Sequence, residues 1–377
     1  MKVVEYQDFS LRLHNKAANA EKRVPINATL DLTHRCNNRC LHCYCSLPAG
    51  DKRAISEELS SEEIERLFDE LRDMGCLWLL ITGGEPLLRP DFRDIYLSAK
   101  RHGFIISVFT NGTLIDEEIA DFFAQYPPFS VEITMYGATP ETYEEVTRVP
   151  GSYERYWSGL QRLLKRTAKP KLKTMALTIN QHEIRRMDSI ARAMGCEFRF
   201  DPILNKRIDD RNFSDPVKYR IPADDVVRLD MEFPERMKEH KEFCERMVGE
   251  PAKSDKLITC GAGKASMHIL PDGTALPCSM LISGGESIRE KSLREIWEVD
   301  FRTLLDQKKD FRIKCDYCSL QNLCGQCMAW SRLEHGGSDK VVQYLCGVAQ
   351  KRAETFTFLK NRMGVNCGKE AVVETGM

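Results

Sequence analysis

From residue 26 to about residue 203, short apolar runs with β character alternate with segments whose apolar residues recur every three to four positions. The short runs predict strands at Ile26–Thr33, Leu77–Thr82, Phe104–Thr110, Phe129–Met135, Lys171–Ile179 and Cys196–Ile203. The longer segments predict helices at Leu59–Met74, Phe92–His102, Asp116–Gln125, Ser152–Thr167 and His182–Met194. This alternation indicates a parallel α/β sheet, open or curled into a barrel, whose functional site lies at the carboxyl ends of the strands.

The first of these helices has the clearest signals. Ser60 and Glu63 have the spacing of a capping box. One apolar stripe follows, made of Ile64, Leu67, Phe68 and Leu71.

After residue 203 the pattern changes to a polar stretch, Asn205–Ser214, and a charged helical segment, Ala223–Met247. A boundary is expected near Pro251–Lys256. Beyond it the sequence predicts a hairpin (Met267–Leu270 and Ala275–Cys278), a helix at Ser292–Leu305 and a final helix at about Asp339–Arg362. The predicted organisation is an extension (1–25), an α/β domain (26–205), a linking helical segment (206–255), a C-terminal module (256–350), and a helix end with a tail (351–377).

The charge balance limits the kinds of partner that the protein is expected to bind. Fifty-five Lys and Arg against 56 Asp and Glu leave a formal charge of −1, so no large net field exists to attract nucleic acid or an anionic membrane. No apolar run approaches the length of a membrane span, and the first residues lack the apolar core of a signal peptide. The sequence therefore predicts a cytoplasmic protein with neither a nucleic-acid nor a membrane partner.

Fifteen cysteines are unusual for such a protein. In a reducing compartment an odd count favours metal ligation or catalysis over a disulfide framework. Cys76, Cys196 and Cys244 are isolated and are expected to pack as small buried side chains. Cys367 lies in the tail outside any pattern. The remaining eleven fall in two groups, four between residues 36 and 45 and seven between residues 260 and 346.

The first group, Cys36-x3-Cys40-x2-Cys43, follows the first predicted strand. Three thiolates on one short loop suit three corners of a [4Fe–4S] cluster and leave the fourth iron open for a small molecule. Zinc with His34 or His42 as fourth ligand is the alternative. Cys45 has the wrong spacing for the cluster and is expected not to be a ligand.

Two further features follow later strands. Gly83-Gly84-Glu85-Pro86 offers a close backbone approach, a carboxylate and carbonyls that can receive an ammonium group. Thr134 offers a hydroxyl to a ribose at the end of the fourth strand.

The cysteine triplet with Tyr44 beside it, the later Gly83-Gly84-Glu85-Pro86 and then Thr110-Asn111-Gly112 resemble the radical S-adenosylmethionine superfamily over residues 26–205. The resemblance implies a partial (β/α)6 barrel, in agreement with the six predicted strands. It also implies that a reduced [4Fe–4S] cluster cleaves S-adenosylmethionine to methionine and a 5′-deoxyadenosyl radical, which abstracts a hydrogen atom from the substrate.

Carried over residue by residue, the resemblance assigns the cluster to Cys36, Cys40 and Cys43, the adenine to Tyr44 and the methionyl ammonium to Gly83, Gly84 and Glu85. It assigns the ribose to Thr134 and the methionyl carboxylate to Arg148. In the S-x-D-G version of the ribose motif an Asp stands where this chain has Tyr136. The role of Tyr136 stays open between a substrate contact and packing.

In the second group, Cys260 and Cys278 flank Gly273, and Cys315-x2-Cys318-x5-Cys324-x2-Cys327 precedes Cys346. A zinc ribbon is one interpretation, but seven thiols exceed one zinc site and suit two clusters. The pattern resembles the SPASM extension of radical S-adenosylmethionine enzymes, a small α+β module. That resemblance implies auxiliary cluster I on Cys260, Cys278 and Cys327, and auxiliary cluster II on Cys315, Cys318, Cys324 and Cys346.

Two positions depart from the SPASM pattern. Cys324 and Cys327 are separated by two residues where the family commonly has three, which weakens the assignment of Cys327. Ser266 stands where some members have an extra ligand, so auxiliary cluster I is expected to have an open iron or an unidentified ligand.

Enzymes with this double architecture most often modify peptides or proteins. The resemblance implies maturation of a ribosomal peptide, such as thioether or carbon–carbon cross-linking, with a flavodoxin or ferredoxin as reductant. The extension before the first strand is too short for the leader-recognition domain of some maturases, so a leader would need a separate binding protein or direct docking on the barrel. The alternatives are formylglycine formation in a sulfatase, disfavoured by Tyr136, oxidation of a tetrapyrrole or another small molecule, and a non-catalytic iron–sulfur electron-transfer protein.

Overall fold

The predicted strands are all present, and more strands join them in one sheet. A computed structural model of the chain describes residues 6–18, 23–166, 169–209, 214–249 and 254–356. Its strands are β1 (Asn27–Thr33), β2 (Arg35–Cys36), β3 (Leu47–Pro48), β4 (Trp78–Gly83), β5 (Ile105–Thr110), β6 (Ser130–Thr134), β7 (Lys171–Met175), β8 (Phe198–Asp201), β9 (Ser266–Ile269), β10 (Thr274–Leu276) and β11 (Glu286–Ser287).

The main sheet has the order β11-β10-β9-β1-β4-β5-β6-β7-β8, and β2 pairs with β3 separately. From β1 to β8 all neighbours in the main sheet are parallel. Helices connect these parallel strands, as right-handed crossovers require. The predicted α/β class with a partial (β/α)6 barrel is confirmed.

The predicted hairpin of the C-terminal module is also present, as β9 and β10. The structure adds a pairing that the sequence pattern does not reveal: β9 lies parallel to β1, with Asn27 opposite Ser266 and Leu30 opposite Ile269. The hairpin therefore extends the sheet of the barrel rather than forming a sheet of its own.

The helices lie between and after the strands. They are α1 (Tyr6–Ala18), α2 (Lys52–Glu57), α3 (Ser61–Asp73), α4 (Phe92–Arg101), α5 (Glu117–Gln125), α6 (Pro140–Thr147), α7 (Ser152–Leu164), α8 (Ile184–Ala193), α9 (Ala223–Glu232), α10 (Pro234–Met247), α11 (Leu293–Glu295), α12 (Phe301–Asp306), α13 (Met328–His335) and α14 (Gln343–Phe356). A π-helical turn, Ile296–Asp300, joins α11 to α12. None of these helices is long and apolar enough to cross a membrane.

The capping box predicted for α3 is confirmed. The Ser60 hydroxyl accepts a hydrogen bond from the backbone N–H of Glu63 at 3.2 Å, and the Glu63 carboxylate accepts one from the backbone N–H of Ser60 at 2.8 Å. The predicted apolar stripe of α3 is buried, and it consists of Ile64, Leu67, Phe68 and Leu71.

Several helices differ from the sequence-based expectations. The segment Ala223–Met247 is two helices, because Pro234 begins α10 and lacks the N–H needed to continue α9. The final helix begins at Gln343 rather than Asp339, and its predicted end at Arg362 lies outside the described residues. The short helices α2, α6 and α13 are not predicted by the apolar pattern. A local signal does exist for α6, since Thr139 caps it and Pro140 is its first residue.

The described residues form two compact units. The first falls within residues 1–221, 254–311 and 327–340, and it contains the main sheet. The second falls within residues 222–253, 312–326 and 341–377, and it contains α9, α10 and α14. Its core includes Val227, Cys244 and Ala349, and the buried carboxylate of Asp230 accepts hydrogen bonds from Arg236 and Arg352.

Candidate functional site

The three cysteines of the first group lie on one loop at the carboxyl end of β1. Cys36 ends β2, and the pairing of β2 with β3 closes the loop at its base. The backbone N–H of Arg39 donates to the carbonyl of Thr147 at 2.9 Å, and that of Leu41 donates to Val146 at 3.0 Å. These bonds attach the loop to the last turn of α6.

Cys36, Cys40 and Cys45 are buried and Cys43 is half-buried, and the thiols influence one another. Burial raises the pKa of Cys36, and the nearby thiols of Cys40 and Cys43 raise it further. Burial also raises the pKa of Cys40 to about 12. A hydrogen bond from the Cys45 thiol lowers the pKa of Cys43 to about 5. Cys45 is therefore placed as a donor to Cys43.

These residues fit an iron–sulfur cluster. Three thiols are brought together, and the buried side-chain amide of Asn38 and Nδ1 of His42 in the same loop have no hydrogen-bond partner. A positively charged cluster would take the thiols as thiolates. Among the described residues no three His, Cys, Asp or Glu side chains are placed to hold a single metal ion, whose thiolates would each lie about 2.3 Å away in the case of zinc. Three thiols on one loop are the donor set of a [4Fe–4S] cluster with one open iron, whereas a structural zinc site needs a fourth ligand.

The two histidines considered as zinc ligands have other surroundings. Nε2 of His34 lies 3.1 Å from the buried carboxylate of Asp31, and Nε2 of His268 lies 3.0 Å from the same carboxylate oxygen. Burial lowers the pKa of His42 to about 4, so its ring is neutral at pH 7. The His42 ring packs against Tyr136, with 5.4 Å between ring centroids.

Tyr136, whose role the sequence leaves open, lies against the cluster loop. Its hydroxyl hydrogen-bonds to the Cys40 thiol, and that bond lowers the pKa of Cys40 although burial dominates. Its ring packs edge to face on Tyr143, with centroids 5.3 Å apart. Tyr136 is thus placed to orient Cys40.

Gly83 and Gly84 bring the end of β4 into direct contact with the backbone that leads into the cysteine loop. The N–H of Gly84 donates to the carbonyl of Thr33 at 2.7 Å, and that of Glu85 donates to the carbonyl of Arg35 at 2.9 Å. A Cβ at Gly84 would lie 2.4 Å from the Arg35 oxygen, and Gly83 has a φ of +134° that disfavours any side chain. The paired glycines therefore fix the cysteine loop against β4.

Glu85 connects the ends of β4 and β5. Its fully buried carboxylate accepts hydrogen bonds from the Thr110 hydroxyl at 2.8 Å, the Asn111 N–H at 2.7 Å and the Leu87 N–H at 3.1 Å. The side-chain amide of Asn111 in turn lies 3.7 Å from the Cys36 sulfur. Burial raises the pKa of Glu85 to about 7 despite these donors. The Glu85 carboxylate thus accepts hydrogen bonds from the chain itself. Its contact with the methionyl ammonium remains a prediction.

Tyr44, Thr134 and Arg148 occupy different positions around the barrel. Tyr44 is half-buried in the loop, and its carbonyl accepts from the Ile208 N–H at 3.0 Å. Thr134 ends β6, half-buried and in register with Lys173 of β7. Arg148 is exposed, ends α6 with a left-handed φ of 58°, and shares a groove of about 570 Å³ with Leu41 of the cysteine loop. Their predicted cofactor contacts remain predictions.

Arg207 is a residue of the site that sequence reasoning missed. Its guanidinium donates to the carbonyl of Cys43 and to that of Ser46, both at 3.2 Å, and pairs with Asp209 at 2.7 Å. The Arg207 side chain is only 3% exposed. It lies in the polar stretch after β8, where nothing in the local pattern distinguishes it from solvent-facing residues.

The second group of cysteines divides between the two units. In the first unit, Cys278 and Cys327 pack against one apolar cluster, and Cys327 lies close enough to Cys260 and Cys278 for their charges to raise its pKa, although burial has the larger effect. The same unit contains Ser266 at the start of β9. These three thiols are those that the SPASM resemblance assigns to auxiliary cluster I.

In the second unit, the thiol of Cys324 donates a hydrogen bond to Cys346, which lowers the pKa of Cys346 and raises that of Cys324. Burial raises the pKa of Cys315 to about 11, and Cys346 and Cys318 add to the effect. The structure thus brings together the four thiols assigned to auxiliary cluster II. Cys76 and Cys196 are buried, and Cys244 is buried in the apolar cluster against which Cys318 and Cys324 pack. Cys367 lies outside the described residues.

Known protein families match both halves of this arrangement. Residues 30–193 match the radical SAM superfamily, and residues 260–328 match SPASM, an iron–sulfur cluster-binding domain. The chain contains a radical SAM domain followed by a SPASM domain. As a radical SAM enzyme with a SPASM domain, it binds a [4Fe–4S] cluster and S-adenosylmethionine, and further iron–sulfur in the SPASM domain.

The proteins to which this chain is similar have different named functions. The chain is 28% identical over 328 residues to an AdoMet-dependent heme synthase from Methanosarcina barkeri, covering 79% of this chain and 90% of that protein. It is 28% identical over 317 residues to mycofactocin maturase MftC from Mycobacterium tuberculosis, covering 81% and 78%. Its fold is similar to that of Streptococcus suis SuiB bound to precursor peptide SuiA, with a TM-score of 0.67, 17% identity, and coverage of 91% and 78%.

Proposed function

We propose that this radical SAM enzyme oxidatively modifies a ribosomally made peptide. The main support for the proposal is the set of buried and half-buried thiols of Cys36, Cys40 and Cys43 at the carboxyl end of the barrel strands. Two further sets of cysteines accompany it. The 28% identity to mycofactocin maturase MftC over 81% of the chain supports a peptide as substrate. SuiB, which was solved with its precursor peptide, shares the fold.

The bound cluster and S-adenosylmethionine supply the 5′-deoxyadenosyl radical. The chain's own residues hold the parts in place. Cys36, Cys40 and Cys43 are the proposed ligands, and Arg207 and Tyr136 fix two of them. Gly84 and Glu85 join the cysteine loop to β4 and β5, so the amino-acid end of the cofactor is expected there. Thr134 is the proposed ribose contact, and Tyr44 and Arg148 are the proposed contacts of the adenine and the methionyl carboxylate.

The auxiliary sites are part of the same proposal. Cys260, Cys278 and Cys327 would hold one cluster, and Cys315, Cys318, Cys324 and Cys346 would hold the other. Such clusters can accept the electron left on an oxidised substrate. We also place the reaction in the cytoplasm, with a flavodoxin or ferredoxin as electron donor, because thiolate ligands need a reducing compartment.

A second candidate function is the oxidation of a tetrapyrrole. The similarity to the AdoMet-dependent heme synthase favours it, because the matched region spans 90% of that protein. Formylglycine formation has less support, since Tyr136 occupies the position of the expected Asp and packs on the cysteine loop.

Mass spectrometry of reaction products separates these candidates. Reconstituted enzyme would be incubated under nitrogen with dithionite, S-adenosylmethionine and the precursor peptides encoded beside its gene, or with a porphyrin that carries propionate groups. The proposal predicts loss of two hydrogen atoms from a peptide, absent with the Cys40→Ala variant and present with the Cys76→Ala control. Modification of the porphyrin and of no peptide would instead support the second candidate function, oxidation of a tetrapyrrole.

A further inference from the structure

The inner face of the sheet carries a charged group next to the proposed cofactor site. Along β6, Val131 and Ile133 are buried, and Ile133 lies near Tyr156 of α7, since both would contact a Cβ at Gly112. Side chains alternate across a strand, so Glu132 and Thr134 point to the face opposite that helix. Lys173 of β7 is in register with Thr134, and Arg199 of β8 is in register with Lys173.

Two cations on this face share one carboxylate. Nη2 of Arg199 lies 2.7 Å from Oε2 of Glu132, which is a short charge-assisted hydrogen bond. Nζ of Lys173 lies 3.7 Å from the same oxygen, beyond ordinary hydrogen-bond distance. The Lys173 ammonium also lies over the ring of Phe109, 2.8 Å from its centroid.

The arrangement leaves the Lys173 ammonium without a close carboxylate at a mostly buried position, whereas the Arg199 side chain is 56% exposed. The side chains of Lys173 and Glu132 are only 18% and 13% exposed. A buried ammonium is costly unless an anion accepts its hydrogen bonds, and Glu132 already gives its short contact to Arg199. Burial accordingly lowers the pKa of Lys173 well below its usual range. A ligand carboxylate within hydrogen-bond distance of Nζ would supply the missing acceptor and favour the charged form of Lys173.

A neighbouring lysine shows the contrast. Lys171 lies two residues earlier on the same strand and face, 37% exposed, and its ammonium is 2.7 Å from the carboxylate of Glu197. That pair is complete and faces more solvent. Lys173 is the lysine of β7 that lies nearer the carboxyl end, at the level of Thr134.

We propose that Lys173, with Arg199 beside it, forms a subsite that binds a carboxylate of the substrate next to the ribose contact at Thr134. The subsite rests on the proposed function only in that its ligand is the molecule to be modified. A peptide would supply an acidic side chain or its C-terminus, and a tetrapyrrole would supply a propionate. Phe109 provides an apolar surface for the carbon chain that carries the carboxylate.

Binding measurements test the subsite without requiring turnover. Reconstituted full-length enzyme with S-adenosylmethionine would be titrated calorimetrically with two probe pairs. One pair is the precursor peptide encoded beside the gene and the same peptide with its carboxylates converted to carboxamides. The other is a porphyrin with propionate groups and its methyl ester. The variants are Lys173→Met, which removes the charge, Lys173→Arg, which retains it, and Lys171→Met as the matched control.

The proposal predicts that one acid binds wild-type enzyme about tenfold or more tightly than its neutral form, as loss of a charge-assisted hydrogen bond implies. Lys173→Met abolishes that preference, whereas Lys173→Arg and Lys171→Met retain it. The proposal is overturned if wild type prefers neither acid, or if Lys173→Met retains the preference with normal iron content and melting temperature. A retained acid preference for the peptide without any modified product would instead count against the proposed function alone.

Discussion

The guanidinium of Arg207 donates a hydrogen bond to the carbonyl oxygen of Cys43 at 3.2 Å, across 164 residues of sequence. The hydroxyl of Ser214 donates to the same carbonyl at 2.9 Å. The chain that leaves the last barrel strand therefore returns to the first and fixes one proposed cluster ligand. The conformation of the cysteine loop thus depends on both ends of the barrel.

Arg207→Met should release this loop. The substitution removes a buried cation, its bonds to the Cys43 and Ser46 carbonyls and its pair with Asp209. It is expected to lower the free energy of unfolding by about 3 kcal/mol and to reduce the iron content of the first site. Urea unfolding and iron analysis under nitrogen measure both effects. Arg192→Met is the control, because Arg192 is 60% exposed and its pair with Asp188 should contribute less than about 0.5 kcal/mol. Normal iron content in Arg207→Met would contradict the positioning role.

Gly84→Ala tests the contact between β4 and the cysteine loop. The new Cβ would lie 2.4 Å from the carbonyl oxygen of Arg35, so the backbone must move, at a cost of about 3 kcal/mol. Binding of S-adenosylmethionine by equilibrium dialysis should weaken in parallel. Gly50→Ala is the matched control, since a Cβ at Gly50 meets nothing within 4 Å. Equal stability of the two variants would show that the close approach is not needed.

Glu85 predicts a pH dependence of stability. Its pKa is raised to about 7 by burial, whereas the unfolded chain has a pKa near 4.3. Between these values the unfolded state binds fewer protons, so stability falls as pH rises and levels off above about 7. The difference in unfolding free energy between wild type and Glu85→Gln should therefore shift against wild type by about 3 kcal/mol from pH 5 to pH 8. A difference that stays constant or shifts the other way would contradict the raised pKa.

The two auxiliary cysteine sets should hold iron independently. Cys260→Ala and Cys346→Ala are each expected to lose about four irons per chain, and the double variant about eight. Iron analysis of reconstituted protein measures the loss, with Cys76→Ala as a control for removing a buried thiol. If the double variant loses no more iron than either single variant, the two sets do not form separate sites.

The features that the sequence predicts correctly are those with a local signal. The capping box of Ser60 and Glu63 lies within four residues, and each barrel strand carries continuous or alternating apolar residues. Cysteine spacing likewise belongs to short segments, so the candidate ligands can be read along the chain. The candidate site residues that follow different strands are expected to lie close together, because the carboxyl ends of parallel strands meet at one edge of the sheet.

What the sequence leaves out depends on distant contacts. The pairing of β9 with β1 brings His268 within 3.0 Å of Asp31 across 237 residues, and no periodicity in either strand specifies that partner. Arg207 and Lys173 are ordinary charged residues in the sequence, and only burial and register distinguish them from solvent-facing ones. The sequence also does not reveal that the Glu85 carboxylate accepts hydrogen bonds from within the chain, because the donors Thr110 and Asn111 lie at the end of another strand.

The most direct test of the account is the formation of 5′-deoxyadenosine from S-adenosylmethionine by reconstituted enzyme with dithionite under nitrogen, measured by liquid chromatography. The account predicts formation by wild type and by Cys76→Ala, and none above background by Cys36→Ala, Cys40→Ala or Cys43→Ala. Equal amounts from wild type and these three variants, or none from wild type that contains its full iron, would contradict the assignment of the radical-generating site to this loop.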